Sequence, residues 1–189
     1  MDVSLTAIPG LVRFQPAPHR DERGFFSRTF DADVARSAGI DPFAFVQDSQ
    51  SRSKGGVVRG LHVRTGRGEG KLVRCASGRL FDVVVDLRPD SPTYRTWVSF
   101  VLDGDTQESI YIPPGCGHGF QALVDPSDTA YRIDRLHDPS SSLTFAWNDP
   151  ELAIPWPLAP THMSAADRNA PPLAALADEL GRISAPVPG

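Results

Sequence analysis

Lysine is almost missing from this chain: of its 19 Lys and Arg residues, only Lys54 and Lys71 are lysines, so arginine supplies nearly all of the positive charge. Cysteine is equally scarce. Cys75 and Cys116 are too few for a disulfide framework, and both are expected to be free thiols acting as small buried hydrophobes. No apolar run approaches the roughly 18 residues of a membrane span. The opening Met1-Asp2-Val3-Ser4 lacks the basic, then apolar pattern of a signal peptide. The expectation is a cytoplasmic protein with no membrane partner. A net charge of -4 and scattered basic residues offer no cationic face for a nucleic-acid backbone, although a few arginines suffice to grip one small diphosphate. Internal repeats, low-complexity tracts and linkers are missing too. With 189 residues, 40% of them hydrophobic, one domain over 1–189 is expected, frayed over about 184–189.

What is present is a succession of short apolar or alternating runs separated by Gly, Pro and Asp clusters, the pattern of an all-β chain. Strands are expected at Leu11–Phe14, Gly24–Phe30, Ala44–Asp48, Val57–Val63, Leu72–Ala76, Leu80–Leu87, Trp97–Leu102, Ser109–Ile112, Gly119–Val124, Thr129–Arg135 and Leu143–Trp147. Pro89-Asp90-Ser91-Pro92, Leu102-Asp103-Gly104-Asp105 and Pro113-Pro114-Gly115 carry turn chemistry between them. One short helix is expected over Asp31–Ala38, with Asp31 as N-cap and Gly39 as its stop, and another over about Pro171–Leu180. So many short strands predict a double-stranded β-helix, the jelly roll or cupin-like barrel, whose interior is wide enough for a ligand.

The segment Val58-Arg59-Gly60-Leu61-His62-Val63, with Gly70-Lys71-Leu72-Val73-Arg74-Cys75 just after it, is the densest in chemistry. Lys71 is a compact point charge placed between apolar strand residues in a chain that otherwise uses the guanidinium fork. Its bland alternative is a strand-edge lysine that discourages aggregation. A metal-binding barrel of this kind wants two histidines one residue apart and a nearby carboxylate. Here Arg64 stands where the second ligand belongs and Glu69 is the one acidic neighbour, so no metal is expected. Without a metal, His62 has the character of a base and Lys71 that of a cation beside a developing enolate, the pair needed to remove a proton next to a ketone. An acid on the opposite face, such as a tyrosine hydroxyl, would then invert the carbon. Taken alone, His62 also reads as a strand histidine bonded to a backbone carbonyl.

Asp21-Glu22-Arg23-Gly24-Phe25-Phe26, Phe45-Val46-Gln47-Asp48, Arg59-Gly60-Leu61-His62, Gly70-Lys71-Leu72-Val73-Arg74-Cys75, Phe81-Asp82-Val83-Val84-Val85-Asp86-Leu87-Arg88, Ser91-Pro92-Thr93, Ile112-Pro113, Gly117-His118-Gly119-Phe120, Trp147-Asn148-Asp149-Pro150 and Ile154-Pro155-Trp156-Pro157 follow one another in order. The string resembles the dTDP-4-dehydrorhamnose 3,5-epimerase family over about residues 1 to 168. The resemblance implies a cofactor-free homodimer that acts on a nucleotide-linked, dTDP-type 4-keto-6-deoxyhexose. It further implies that His62 is the proton-abstracting base, Lys71 the cation at the C4 oxygen, Asp167 the carboxylate that orients the histidine, and Tyr131 the proton donor. His118 falls on another active-site histidine. Arg23 and Arg59 match diphosphate-binding side chains, and Phe26, Gln47 and Ser49 fall on substrate-facing positions.

Five positions depart from the family pattern. Arg28 replaces a glutamate, Ser49 an asparagine, Leu136 a second tyrosine, Ser142 an acidic residue and Ala166 a lysine. They leave the enolising pair intact, and the loss of the second tyrosine leaves room for inversion at one carbon only. The arginine-, alanine- and proline-rich composition suggests a secondary-metabolite, antibiotic-type deoxysugar pathway.

Overall fold

The computed structural model describes residues 1–187, in which thirteen strands build two facing sheets and a separate hairpin. Six strands lie side by side in the order β1 (Asp2–Leu5), β2 (Val12–Gln15), β10 (Ser109–Ile112), β7 (Lys71–Ser77), β12 (Ser127–Ile133) and β5 (Gln47–Ser53). Five make the other sheet, in the order β13 (Ser142–Thr144), β6 (Val58–Arg64), β11 (Cys116–Ala122), β8 (Arg79–Asp86) and β9 (Trp97–Asp103). The hairpin strands β3 (His19–Asp21) and β4 (Gly24–Phe26) pair with each other. From β5 onward the chain changes sheet at every connection except β8 to β9, the winding of a jelly roll.

Side-chain alternation sorts the apolar residues into three layers. Between the sheets lie Val73 and Cys75 of β7, Ile110 and Ile112 of β10, Leu80 and Val84 of β8, and Phe120 of β11. Outside the five-stranded sheet, Leu61, Val63, Phe81, Val83 and Val85 are covered by Phe145, Leu152, Leu173, Leu176, Leu180 and Ile183. Outside the six-stranded sheet, Val12, Phe14 and Leu72 pack on Ala35 and Ile40 around α1 (Ala32–Ser37). β8 is therefore buried on both faces, which is why it reads as an almost unbroken apolar run instead of an alternating one. Both cysteines are buried free thiols, and burial pushes Cys75 up to about 11 and Cys116 up to about 12.

The Asp31 cap is as expected: its carboxylate accepts from the Asp33 and Val34 amides, and Gly39 follows the helix at φ +77°. Other boundaries differ. β5 begins at Gln47 and runs through Ser53, because its alternating polar residues face a cleft and carry no apolar signal. β4 stops at Phe26 and β13 at Thr144, while β1 and β3, short and largely exposed, were not expected at all. The expected C-terminal helix is a 3-10 turn, Leu173–Leu176, followed by α3 (Ala177–Leu180), and an unforeseen α2 (Ala165–Arg168) precedes both. The tail is docked at its start: the Ser184 amide donates to the Gly66 carbonyl at 2.8 Å and Ala185 is buried. Pro188 and Gly189, also read as frayed, lie outside the described residues.

The string Asp86-Leu87-Arg88 with Ser91-Pro92-Thr93 is a buried ionic knot. Asp86 accepts from Arg88 Nε and Nη2 at 2.8 and 2.7 Å, from Ser91 Oγ at 2.5 Å and from Thr93 Oγ1 at 2.7 Å, and Arg88 also donates to the Pro9 carbonyl. Asp86 and Arg88 are both fully buried. Removing one partner strands the other charge away from water, so Asp86→Asn is expected to cost about 3–5 kcal/mol in urea unfolding. A loss below about 1 kcal/mol, the scale of an exposed pair, would show that the knot is dispensable.

Candidate active site

A cleft of about 310 Å³ opens between the sheets, lined by Gln47, Ser49, Ser51, Arg59, His62, Lys71, His118, Phe120, Tyr131, Ile133 and His137. The two walls come from different sheets. β6 and β11 bring Arg59, His62 and His118; β5, β7 and β12 bring Gln47, Ser49, Ser51, Lys71 and Tyr131.

Alternation alone would send Arg59 and His62, three residues apart, to opposite faces of β6. The pairing with β11 explains why both reach the cleft. His118 opposes His62 and Phe120 opposes Arg59, so three steps on β6 face two on β11, a bulge that re-aims a side chain. Gly60 sits at this point with φ +125°, and a Cβ there would lie 2.6 Å from Gly119 Cα.

His62 is held from behind. Its Nε2 lies 2.7 Å from Asp167 Oδ1, which leaves Nδ1 unshared, and the imidazole is 47% exposed while the carboxylate is nearly buried. Asp167 is carried by α2, whose N-cap Ser164 Oγ accepts from the Asp167 amide at 3.0 Å. Burial works to raise the Asp167 carboxyl, but the bond to and charge of His62, with help from Ser164 and the Gly60 amide, outweigh it and hold the group below the usual carboxylate range. A second pair lies deeper: His118 Nε2 is 2.9 Å from Asp82 Oδ2, with Asp82 fully buried on β8. In the sequence Asp82 lies within the apolar run Phe81-Asp82-Val83-Val84-Val85. A carboxylate inside such a run, which a buried strand does not tolerate unpaired, was the available signal.

Across the cleft, Lys71 Nζ is 2.9 Å from Glu69 Oε1, and Arg64 Nε holds the other Glu69 oxygen at 2.9 Å. Burial opposes ionisation of Glu69, and the two cations overcome it, so its carboxyl also lies low. Glu69, weighed in the sequence as a metal ligand, is thus an anion between two cations. Tyr131 stands edge-on to the His118 ring, 6.4 Å between centroids, with its hydroxyl 3.5 Å from Ser51 Oγ. Burial pushes the phenol up to about 12, so at neutral pH it carries its proton. Gln47 Nε2 donates to Ser49 Oγ at 3.1 Å, and Arg59 donates to Ser53 Oγ at 3.0 Å.

Arg23 and Phe26 are not part of this cleft. Both sit on the β3–β4 hairpin, Arg23 paired with Asp21 at 2.5 Å and Phe26 71% exposed. Of the substituted positions, Arg28 pairs with Asp31, Ser142 Oγ accepts from Arg64 Nη1, and Leu136 is 74% exposed.

A jelly roll with a histidine–aspartate pair on one wall of its cleft and a protonated tyrosine and a lysine on the other defines a barrel equipped for acid–base chemistry. The family model described as dTDP-4-dehydrorhamnose 3,5-epimerase matches residues 5–175, and the chain belongs to that family. The dTDP-4-dehydrorhamnose 3,5-epimerase of Pseudomonas aeruginosa is 40% identical over 158 residues, covering 84% of this chain and 87% of the relative. The dTDP-4-dehydrorhamnose 3-epimerase of Streptomyces niveus is 38% identical over 164 residues, covering 86% and 79%. The solved structure of NovW, a 4-keto-6-deoxy sugar epimerase from the novobiocin gene cluster of Streptomyces spheroides, matches with a TM-score of 0.91 at 36% identity, over 98% of this chain and 93% of that one.

The raised Tyr131 pKa has a measurable consequence. The unfolded phenol ionises near 10 and the folded one only near 12, so the stability it contributes is full below about pH 10 and is lost as pH rises through that window. Urea unfolding should show wild type losing stability more steeply than Tyr131→Phe between those pH values. Parallel curves would mean that the phenol is solvated in the folded protein.

Proposed function

We propose that the cleft epimerises a dTDP-linked 4-keto-6-deoxyhexose at C3, C5 or both, by removing and returning the proton next to the C4 ketone. The chain is then an isomerase. The observation that carries this reading is that His62 and Tyr131 project from opposite sheets into one cleft. A hexose ring held between the walls would offer one face to the imidazole and the other to the phenol.

His62 takes the proton from the carbon beside the ketone, the C–H electron pair moves into a C–C double bond, and the carbonyl pair moves onto the C4 oxygen. Asp167 favours this step because a carboxylate on one ring nitrogen stabilises the imidazolium that forms on the other. The Lys71 ammonium stabilises the negative oxygen in a cleft where water screens it little. Tyr131 then gives its proton to the opposite face, and the resulting phenolate recovers a proton from solvent while His62 releases the one it took. Arg59 serves the diphosphate, a task suited to a guanidinium fork. Gln47, Ser49 and His118 complete the substrate wall.

Arg23 and Phe26 fit the same reading if a second copy of the chain binds here. An exposed phenylalanine beside an arginine on a projecting hairpin is poorly explained in a lone protomer, and a homodimer would let the hairpin complete a partner's cleft. A narrower reading, inversion at a single carbon in an antibiotic-type deoxysugar pathway, draws support from Leu136, which turns to solvent where the family pattern has a tyrosine, and from the likeness to the Streptomyces 3-epimerase. A cytoplasmic site of action accords with a nucleotide-sugar substrate; among the described residues no helix is long and apolar enough to cross a membrane.

The test is exchange with solvent deuterium. His62→Ala should lower exchange next to the ketone by about a hundred- to ten-thousand-fold in a protein that still folds, and near-normal exchange would remove His62 as the base. Tyr131→Phe should keep exchange while losing inversion, because the proton can return only from the face it left. If the ratio of deuterium wash-in to inverted product is unchanged from wild type, another group or a water delivers the second proton. A non-catalytic sugar-nucleotide-binding protein would show no exchange even as wild type.

A further inference from the structure

His137 lines the cleft together with His62, Lys71 and Tyr131, although no motif in the sequence points to it. It lies on the loop after β12, where its Nδ1 sits 3.0 Å from Arg64 Nη2. A guanidinium has five donors and no acceptor, so Nδ1 must be the acceptor of this bond. The hydrogen of the neutral ring is then on Nε2, as a donor. Arg64 is itself firmly seated, only 14% exposed. Its Nε holds Glu69, and its Nη1 donates to the Asp138 carbonyl and, at 2.8 Å, to Ser142 Oγ. Glu69 in turn holds Lys71. One guanidinium thus ties the loop that carries His137 to the wall that carries His62 and to the lysine opposite. Leu136 faces solvent, so the ring this loop sends into the cleft is the imidazole.

We propose that His137 is a substrate-binding residue whose Nε2–H donates to an oxygen of the hexose, and that Arg64 is the positioning residue that sets its tautomer. The sugar, and not the diphosphate, is the partner because of where the two ends of the cleft lie. Arg59 is near one end of β6, bonded to Ser53, and Arg64 with His137 is at the other, about 13 Å away once the bulge between Arg59 and His62 is counted as two strand steps. A nucleotide sugar whose diphosphate rests on Arg59 lays its hexose toward Lys71 and His137. The inference rests on the epimerase reading for the identity of the ligand.

Two unreactive probes separate the possibilities: dTDP-glucose, which has the hexose but no ketone, and dTDP, which has no sugar. By calorimetry, His137→Ala is expected to weaken dTDP-glucose binding by about five- to thirty-fold, the worth of one hydrogen bond, and to leave dTDP binding unchanged. His137→Gln, which restores an N–H donor, should recover most of the loss. Unchanged affinity for dTDP-glucose in His137→Ala, equal losses for both probes, or no recovery in His137→Gln would each overturn the proposal. If wild type binds neither probe, the nucleotide-sugar reading fails first and this one falls with it. Long-range proton–nitrogen correlation at about pH 8, where an ordinary histidine is neutral, should show His137 as the Nε2–H tautomer in wild type and a mixture in Arg64→Met. An Nδ1–H tautomer in wild type would refute the role given to Arg64.

Discussion

The contact of Gly60 with Gly119 is the constraint on which the cleft depends. Two backbones meet there with no room for a methyl group, and the extra residue it gives β6 turns both Arg59 and His62 inward. On a regular strand one of the two would point into the outer apolar layer with Leu61 and Val63, at the cost of burying an unpaired charge or an unbonded imidazole. The bulge therefore decides that one wall carries both a guanidinium and an imidazole facing the cleft.

The remaining polar groups of the barrel are held in a way that follows from their burial. His62 leans on Asp167, His118 on Asp82, Lys71 on Glu69, and Glu69 on Arg64. Each of these three carboxylates has an imidazole, ammonium or guanidinium within hydrogen-bond distance, so the cleft keeps a fixed arrangement of polar groups that does not have to reorganise when negative charge develops on a substrate. Such preorganisation, in a space where water screens weakly, is the main way an enzyme stabilises an enolate. The tyrosine differs: its hydroxyl lies 3.5 Å from Ser51 Oγ, burial pushes its pKa up to about 12, and it remains a neutral acid.

Much of this was legible in the residues. Short runs bounded by Gly, Pro and Asp led to the all-β jelly roll, and the isolation of Lys71 among arginines pointed to the wall it occupies. Local pattern could not show β5, whose alternating serines and glutamines serve the cleft and not a core, nor α2, a single turn whose purpose is to deliver Asp167 from 105 residues away in sequence. Asp82 was hidden inside an apolar strand and His137 in a polar loop; their partners, His118 and Arg64, are distant in the chain and meet them only once the strands assemble. Arg23 and Phe26 were grouped with the cleft by resemblance, and in the protomer they stand apart from it because their hairpin pairs with neither sheet.

The central claim is that the two walls present an acid and a base to opposite faces of one sugar ring. The most direct measurement is a crystal structure of the complex with dTDP-glucose. The expected result places the hexose between the sheets, with His62 over one face and the Tyr131 hydroxyl over the other at the carbons flanking C4. A hexose lying outside the cleft, or one with His62 and Tyr131 on the same face, would contradict the account.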